Sequence, residues 1–249
     1  MQKLLSDTID TFTHHTIGGG PIAFSNLGGL PTIDSNDFFA PDLTLNSDIV
    51  LNANVTARTT YGTGTFSTIY LNGAISGAGG LESVGGGDLR MGGMTANTYA
   101  GLTKMSGGVL YLAKPASVVA VPGDLSIGSQ GGTRDRGGEV HILNDNQIAT
   151  TATVTLGRSI LFVEGGDQSL SNLRFTGVND PVLNRIGGSV TISPSQTLTI
   201  TGGITRTAPT PIPSFIPSTS IISGGTLDLD GGLRPFQVDN IMPVLPPRR

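Results

Sequence analysis

Few residues of this chain have side chains suited to catalysis or metal binding, and they are scattered along it. Apart from aspartate, the candidates are three histidines, three glutamates and three lysines: His14, His15, His141, Glu82, Glu139, Glu164, Lys3, Lys104 and Lys114. The chain has no cysteine, which excludes disulfides and cysteine-ligated zinc. No histidine accompanies a nucleophile motif such as Gly-x-Ser-x-Gly. We therefore predict no catalytic residue, no cofactor and no metal site, and we expect no three of the acids, histidines and lysines to converge in a cleft.

Three short patterns imitate binding sites. The pair His14-His15 could ligate a metal, but no third ligand lies at a suitable spacing, so a solvated turn is favoured. Asp228 and Asp230 would share one strand face and could offer oxygen ligands to calcium, although a solvated face is favoured. The glycines at 85–87 precede a predicted strand rather than a helix, so a phosphate-binding loop is rejected.

Short alternating runs that follow glycine are the elements that must position these residues. They have the form Gly-x-Leu-x-Leu, with an apolar residue at every second position, which is typical of a half-buried β-strand. The form recurs at 87–91, 108–112, 123–127, 138–142, 188–192 and 225–229. Strands this short cannot bury their apolar faces alone, whereas a stack spaced by about 4.7–4.9 Å shares one core. We predict a β-solenoid whose inward residues include Leu89, Met91, Leu110, Leu112, Leu125, Ile127, Val140, Ile142, Val190, Ile192, Leu227 and Leu229.

The composition supports a thin aliphatic core and limits the partners. Aromatic residues make up 5% of the chain and tryptophan is absent, so leucine, isoleucine and valine must fill the interior. The net charge is −4 and no basic patch is visible, which argues against nucleic acid. No apolar run is long enough to span a membrane. Residues 1–10 lack the apolar core of about 7–15 residues that a signal peptide needs.

The pattern divides the chain into three parts. Residues 1–41 are predicted to be an irregular segment or cap, 42–232 the solenoid, and 233–249 an extended tail. Asparagine and threonine at strand ends are expected to stack in ladders along the axis. The proline-rich segment 208–217 cannot pair inside a sheet, and a loop excursion is favoured over a contact site for a partner. The charged segment within 131–138 is predicted to be an exposed loop tip.

One part of the sequence carries a family resemblance. Residues 74–81 (AISGAGGL), 85–91 (GGGDLRM), 96–103 (ANTYAGLT) and 106–112 (SGGVLYL) follow one another in the order of a single repeat unit. This stretch resembles the autotransporter-associated β-strand repeat. The resemblance implies an all-β, right-handed parallel β-helix in a large exported bacterial surface protein. It implies no catalytic residue, because the motif of that family is structural.

These observations together predict a non-enzymatic structural protein of the bacterial cell exterior. It would be a β-solenoid scaffold or adhesin, or a subunit of a self-assembling filament or matrix. The expected partners are copies of itself or other solenoid surface proteins, with surface glycans as further candidates. Self-association is expected through the solenoid ends or through segments 1–41 and 203–220. The alternative is a β-helix polysaccharide lyase or hydrolase, which would need several carboxylates gathered on one wall.

Overall fold

Short β-strands account for the regular structure of the chain. The computed structural model describes residues 3–5, 14–26, 28–35, 42–59, 66–128, 138–176, 186–207 and 219–238. Within these ranges there is no helix, and the strands in chain order are β1 Lys3–Leu5, β2 His15–Ile17, β3 Ile22–Phe24, β4 Thr32–Ser35, β5 Leu43–Leu45, β6 Ile49–Leu51, β7 Val55–Thr59, β8 Thr68–Leu71, β9 Ile75–Ser76, β10 Leu81–Gly85, β11 Asp88–Met91, β12 Thr103–Met105, β13 Val109–Leu112, β14 Leu125–Ile127, β15 Glu139–Ile142, β16 Thr153–Leu156, β17 Ile160–Val163, β18 Gln168–Thr176, β19 Ile186–Thr207, β20 Thr219–Asp228 and β21 Phe236–Val238.

The strands pair in parallel and form three columns. Column A follows the pairings β1, β4, β7, β10, β12, β14, β16, β18, β19 and β21. Column B follows β2, β5, β8, β11, β13, β15, β17, β19 and β20. Column C begins with β3, β6 and β9. It resumes at a parallel bridge from Val121 to Ile148 and continues through parts of β18, β19 and β20.

The chain therefore visits column A, then B, then C, and returns to A one rung further along. This topology is a three-sided parallel β-solenoid, which confirms the predicted fold class. The long strands β18, β19 and β20 turn a corner and contribute to more than one column. Rungs differ in length: partners in column A are 19 positions apart from Val154 to Leu173 but 31 apart from Leu173 to Ile204. The corners absorb these differences while the strands stay in register.

The predicted core is confirmed in the middle of the solenoid. The first ten residues predicted to point inward, from Leu89 to Ile192, are all buried. Leu227 and Leu229 are only partly buried, although both pack against the core. They lie in the last described turn of the solenoid, where fewer neighbouring rungs can cover them.

The boundaries drawn from the sequence differ from those of the structure. Within 1–41, strands β1 to β4 already belong to the three columns, so the solenoid begins before residue 42. His15 is part of β2 rather than a turn. At the other end, β21 lies within 233–249 and pairs with β19. These strands are missed because they are three or four residues long and lack the glycine-led leucine pattern. The loop predicted at 208–217, and all of 131–138 except Gly138, lie outside the described residues.

The corner between columns B and C shows the expected asparagine ladder. The Asn72 side-chain amide Nδ2 donates a hydrogen bond of 2.9 Å to Oδ1 of Asn46, one rung away. On the following rung Gly92 takes the place of Asn72. The next residue, Gly93, must also lack a side chain, because a Cβ there would collide with the carbonyl oxygen of Asn72. Gly93 also has a φ of 80°, which a side chain would strain.

A buried lysine occupies the same corner on the next rung. Lys114 is 0% exposed, and its Nζ donates hydrogen bonds of 2.6 Å to the Gly92 carbonyl and 2.8 Å to the Thr95 carbonyl. Burial lowers the pKa of Lys114 to about 8, although the negative charge of Asp48 acts in the opposite direction. A neutral amine has two N–H groups, which match the two carbonyl acceptors. The lysine therefore ties two rungs together without needing its charge.

Lys114 predicts an unusual rise of stability in alkaline solution. Its folded pKa lies below its ordinary value of 10.5, so between about pH 8 and 10.5 the unfolded chain binds more protons than the folded one. The free energy of unfolding should rise over this interval by on the order of 1–3 kcal/mol. Above pH 10 the buried Tyr99, whose pKa is raised by burial, should reverse the trend.

The measurement is urea denaturation at a series of pH values. Lys114→Met should abolish the rise between pH 8 and 10, whereas Lys104→Met, at a half-exposed position, should retain it. A wild-type free energy of unfolding that stays flat or falls over this interval would contradict the role assigned to Lys114.

Candidate functional site

The outer face of column B carries a continuous row of large side chains. The middle residue of each short strand points outward between two inward apolar residues, as in Leu110-Tyr111-Leu112. Register places these outward residues one above another along the axis, in the order Thr44, Tyr70, Arg90, Tyr111, His141, Phe162, Thr191 and Ser223. The five large residues from Tyr70 to Phe162 are called the ring row below. In the paired strands of columns A and C before β21, the outward positions hold no ring among the described residues.

Ring contacts run along this row. The rings of His141 and Phe162 are stacked, with centroids 4.5 Å apart and an interplanar angle of 21°. Tyr111 and His141 are tilted by 33°, with centroids 5.0 Å apart. The guanidinium carbon of Arg90 lies 5.9 Å from the Tyr111 ring centroid, within the range of a cation–π contact. Cross-strand pairs of this kind stabilise a sheet, and here they connect four successive rungs.

Carboxylates flank the rings on both sides. Glu139 precedes His141 by two residues on β15, and Glu164 follows the end of β17. His141 Nδ1 lies 3.1 Å from Oε2 of Glu164, and Nε2 lies 3.8 Å from Oε2 of Glu139. The imidazole is therefore held between two carboxylates across the strands and between two rings along the axis.

The structure adds contacts that the sequence does not reveal. Glu139 and Glu164 each lie within ion-pair distance of His141. The sequence separates Glu164 from His141 by 23 positions, and only the register of β15 with β17 brings them together. They occupy an open sheet face rather than a cleft.

The carboxylates also change the proton affinities of their neighbours. Partial burial raises the pKa of Asp88, and the nearby charge of Asp42 raises it further, while His141 acts in the opposite direction. Burial likewise raises the pKa of Tyr111, and the surrounding carboxylates, first among them Asp88, add to this effect. Carboxylates thus dominate the charge of this face, on which the basic side chain of Arg90 contacts Tyr111.

The groups do not form a chelating set. The two glutamates approach opposite nitrogens of the His141 ring, so the three residues cannot all ligate one ion. In the described ranges no three histidine, aspartate or glutamate side chains are grouped to hold a metal. What the face offers is flat rings, carboxylate acceptors and hydroxyl groups in rows, which suit the binding of a polar, ring-shaped ligand.

The other residues singled out by sequence lie elsewhere. His14 is exposed and its Nδ1 lies 3.2 Å from Oδ2 of Asp42. Asp228 Oδ1 accepts a 2.9 Å hydrogen bond from the backbone N–H of Asp230, and Arg234 forms an ion pair with Asp230. These contacts stabilise a local turn at the end of β20. Neither set joins the ring row.

The ring row has a local sequence signal. An aromatic or histidine residue stands between two inward aliphatic residues on β8, β13, β15 and β17. The inward leucines draw attention first, and the central residue of each run is easily taken as an ordinary solvent-facing position. Only the alignment of rungs shows that these central residues form one row.

Comparison with known protein families, with characterised proteins and with solved structures found no match. The similarity to the autotransporter-associated β-strand repeat therefore remains a prediction from the sequence. Separately, no helix in the described part of the chain is long and apolar enough to cross a membrane.

Two carboxylates on neighbouring faces should respond oppositely to neutralisation. The folded pKa of Asp88 lies above its ordinary value of 3.8, so its ionisation opposes folding at neutral pH. Asp88→Asn should raise the free energy of unfolding at pH 7, and the gain should vanish as the pH falls below about 3.8.

Glu82 supplies the matched comparison on column A. Its burial acts to raise the pKa, but hydrogen bonds from Lys104 and Ser106 outweigh it, and the pKa is lowered from 4.5. Glu82→Gln should therefore reduce the free energy of unfolding at pH 7, with the loss disappearing in acid. Equal changes of the same sign in both variants, measured by denaturation at pH 3 and pH 7, would refute this account of the outer faces.

Proposed function

We propose that this protein is a non-enzymatic structural protein of the bacterial cell exterior, a β-solenoid that serves as a scaffold or adhesin. The observation that carries the proposal is the single aliphatic core that runs through the stacked rungs from Phe24 to Ile204. A stack of this kind resists bending, because every rung is hydrogen-bonded to its neighbours. Ten strands in column A span on the order of 40 Å at the usual strand spacing.

The location is supported by the sequence. The stretch at 74–112 is similar to a repeat of exported surface proteins, which favours an extracellular or cell-surface site. Low charge and the absence of cysteine are compatible with it. The net negative charge argues against nucleic acid as a partner.

We further propose that copies of the chain associate end to end, or with other solenoid surface proteins, to form a filament or matrix. The far edges of β20 and β21 pair with no other described strand, and such edges are templates for another chain. Ile221 and Phe236 lie on these strands and are 46% and 58% exposed. No lysine, which commonly protects a strand edge, is present in the described last rung.

A second candidate is a polysaccharide lyase or hydrolase acting on the outer face of column B. It is favoured by one observation, the convergence of Glu139, His141 and Glu164 beside Tyr111. Carboxylate pairs are the usual catalytic groups of glycoside hydrolysis. The face is open rather than a cleft, and both glutamates contact the same histidine. These two features favour the structural role instead.

Analytical ultracentrifugation over a range of protein concentrations tests the assembly. Wild-type protein should show a mass that increases with concentration, because edge pairing is a bimolecular equilibrium. Ile221→Lys combined with Phe236→Lys should shift the chain towards monomer, since lysines protect strand edges. Thr155→Lys, on the outer face of column A, is the control and should assemble like wild type. A wild-type chain that stays monomeric at every concentration would overturn the filament proposal.

A further inference from the structure

The ring row ends abruptly at one rung. Phe162 is its last large member, and its register partner on the next rung is Thr191. The outward residues on either side of Thr191 are Ser189 and Ser193, which are also small and carry hydroxyl groups. The outer face of column B thus changes from a wall of rings to a low floor of hydroxyls within one strand spacing. This step is called the ledge.

No large side chain of the described residues follows Phe162 on the next rung of column B. The opposite face of the Phe162 ring is covered by His141, whose ring centroid is 4.5 Å away. Thr191 has a side chain too short to cover a phenyl ring, and it is itself exposed. The contrast is Tyr111, whose faces are flanked by Arg90 and His141. Among the described residues, Phe162 is therefore the one ring of the stacked trio Tyr111, His141 and Phe162 that has a large side chain against only one of its faces.

A carboxylate is fixed on the other side of the Phe162 ring, next to His141. Glu164 is exposed and follows β17, two residues after Phe162. Its Oε2 is held 3.1 Å from His141 Nδ1, which fixes the orientation of the side chain. The carboxylate adds negative charge near the ledge but lies on the covered side of the ring. The ledge therefore combines a flat apolar surface with a floor of hydroxyl groups.

We propose that the ledge binds a pyranose unit of a neutral or amino-bearing glycan. The C–H face of the sugar would stack on Phe162, since the flat apolar surface of an aromatic ring can bury the C–H groups of a sugar. Sugar hydroxyls would exchange hydrogen bonds with Thr191 and Ser189 on the floor of the ledge. The open face lets a polymer continue beyond the bound unit.

Charge selects among glycans and disfavours other occupants. Glu164 follows Phe162 on the same rung and Glu139 lies one rung before it, so this part of the face is negative. A uronic-acid polymer would be repelled, whereas a protonated amino sugar would be attracted. A second copy of the chain docked through the same face would bring these carboxylates against their equivalents. A neutral or cationic sugar brings no negative charge to this face and is therefore not repelled by its carboxylates.

The test is titration of the purified full chain with three hexasaccharides, in which binding is measured by calorimetry and by NMR of the sugar protons. The probes are a glucosamine hexamer, the neutral cellohexaose and a galacturonate hexamer. The first two should bind, the amino sugar more tightly, and the acidic one should not. Phe162→Ala should weaken binding by about tenfold, the effect of losing one aromatic stacking contact.

Thr191→Arg is the decisive variant because it should leave the fold intact. An arginine there can lie over Phe162 as Arg90 lies over Tyr111, and so cover the stacking face. It should abolish sugar binding while circular dichroism and the denaturation midpoint are preserved. Thr155→Arg, on the outer face of column A one rung before Thr191, is the matched control and should bind like wild type.

The proposal is overturned if no hexasaccharide binds, if the galacturonate hexamer binds as well as the others, or if Thr191→Arg binds like wild type. Cleavage of a bound hexamer would support the ledge while contradicting the non-enzymatic role. If the chain assembles but binds no sugar, only the proposal of sugar binding at the ledge is contradicted. If a monomer binds sugar, only the proposal of assembly is contradicted.

Discussion

Parallel hydrogen bonding in register between rungs is the constraint on which this structure depends. Most strands have three to five residues, and a strand that short has too little apolar surface to remain folded alone. Its N–H and C=O groups are satisfied only by the rungs before and after it. Once the register is fixed, equivalent side chains of successive rungs must lie above one another. The aliphatic core, the asparagine ladder and the ring row are three results of this one rule.

The rule explains which features the sequence reveals. Leu110 and Leu112 are recognisable as inward residues because the alternation that places them is local, within five residues of the preceding glycine. The burial of Val140 and Ile142 follows from the same pattern. Nothing beyond one strand needs to be known to make these assignments, and the solenoid follows from their repetition.

Features that depend on the relation between rungs are not visible in the same way. His141 meets Glu164 because a rung of that length places β17 over β15, and rung lengths vary along the chain. The same uncertainty hides the position of Lys114 above Gly92, since a lysine beside proline suggests an exposed turn. Strands β2 and β3 are not recognisable in the sequence, because each has three residues and neither carries the glycine-led leucine pattern. Sequence thus predicts the faces of the solenoid better than the rows that cross them.

The rows gather the large outward side chains on one open face of the solenoid. The described outward positions of column B include four rings, while those of column A hold side chains without a ring, such as Lys104, Ser126 and Thr155. A solenoid can alter one residue of a row without disturbing the core, because inward and outward positions alternate. The ledge beside Phe162 is such an alteration, made by a change from ring to hydroxyl between adjacent rungs.

The register itself is tested most directly by engineered disulfides, which the absence of native cysteine makes unambiguous. Ser126 and Thr155 are 29 positions apart in sequence but are register partners on the outer face of column A. Neighbouring strands lie about 4.7–4.9 Å apart, within the Cα separation that a disulfide tolerates. Ser126→Cys with Thr155→Cys should form an intramolecular disulfide on mild oxidation. Ser126→Cys with Arg174→Cys, two rungs apart, should not. Failure of the first pair to cross-link, or equal cross-linking of both pairs, would contradict the in-register solenoid.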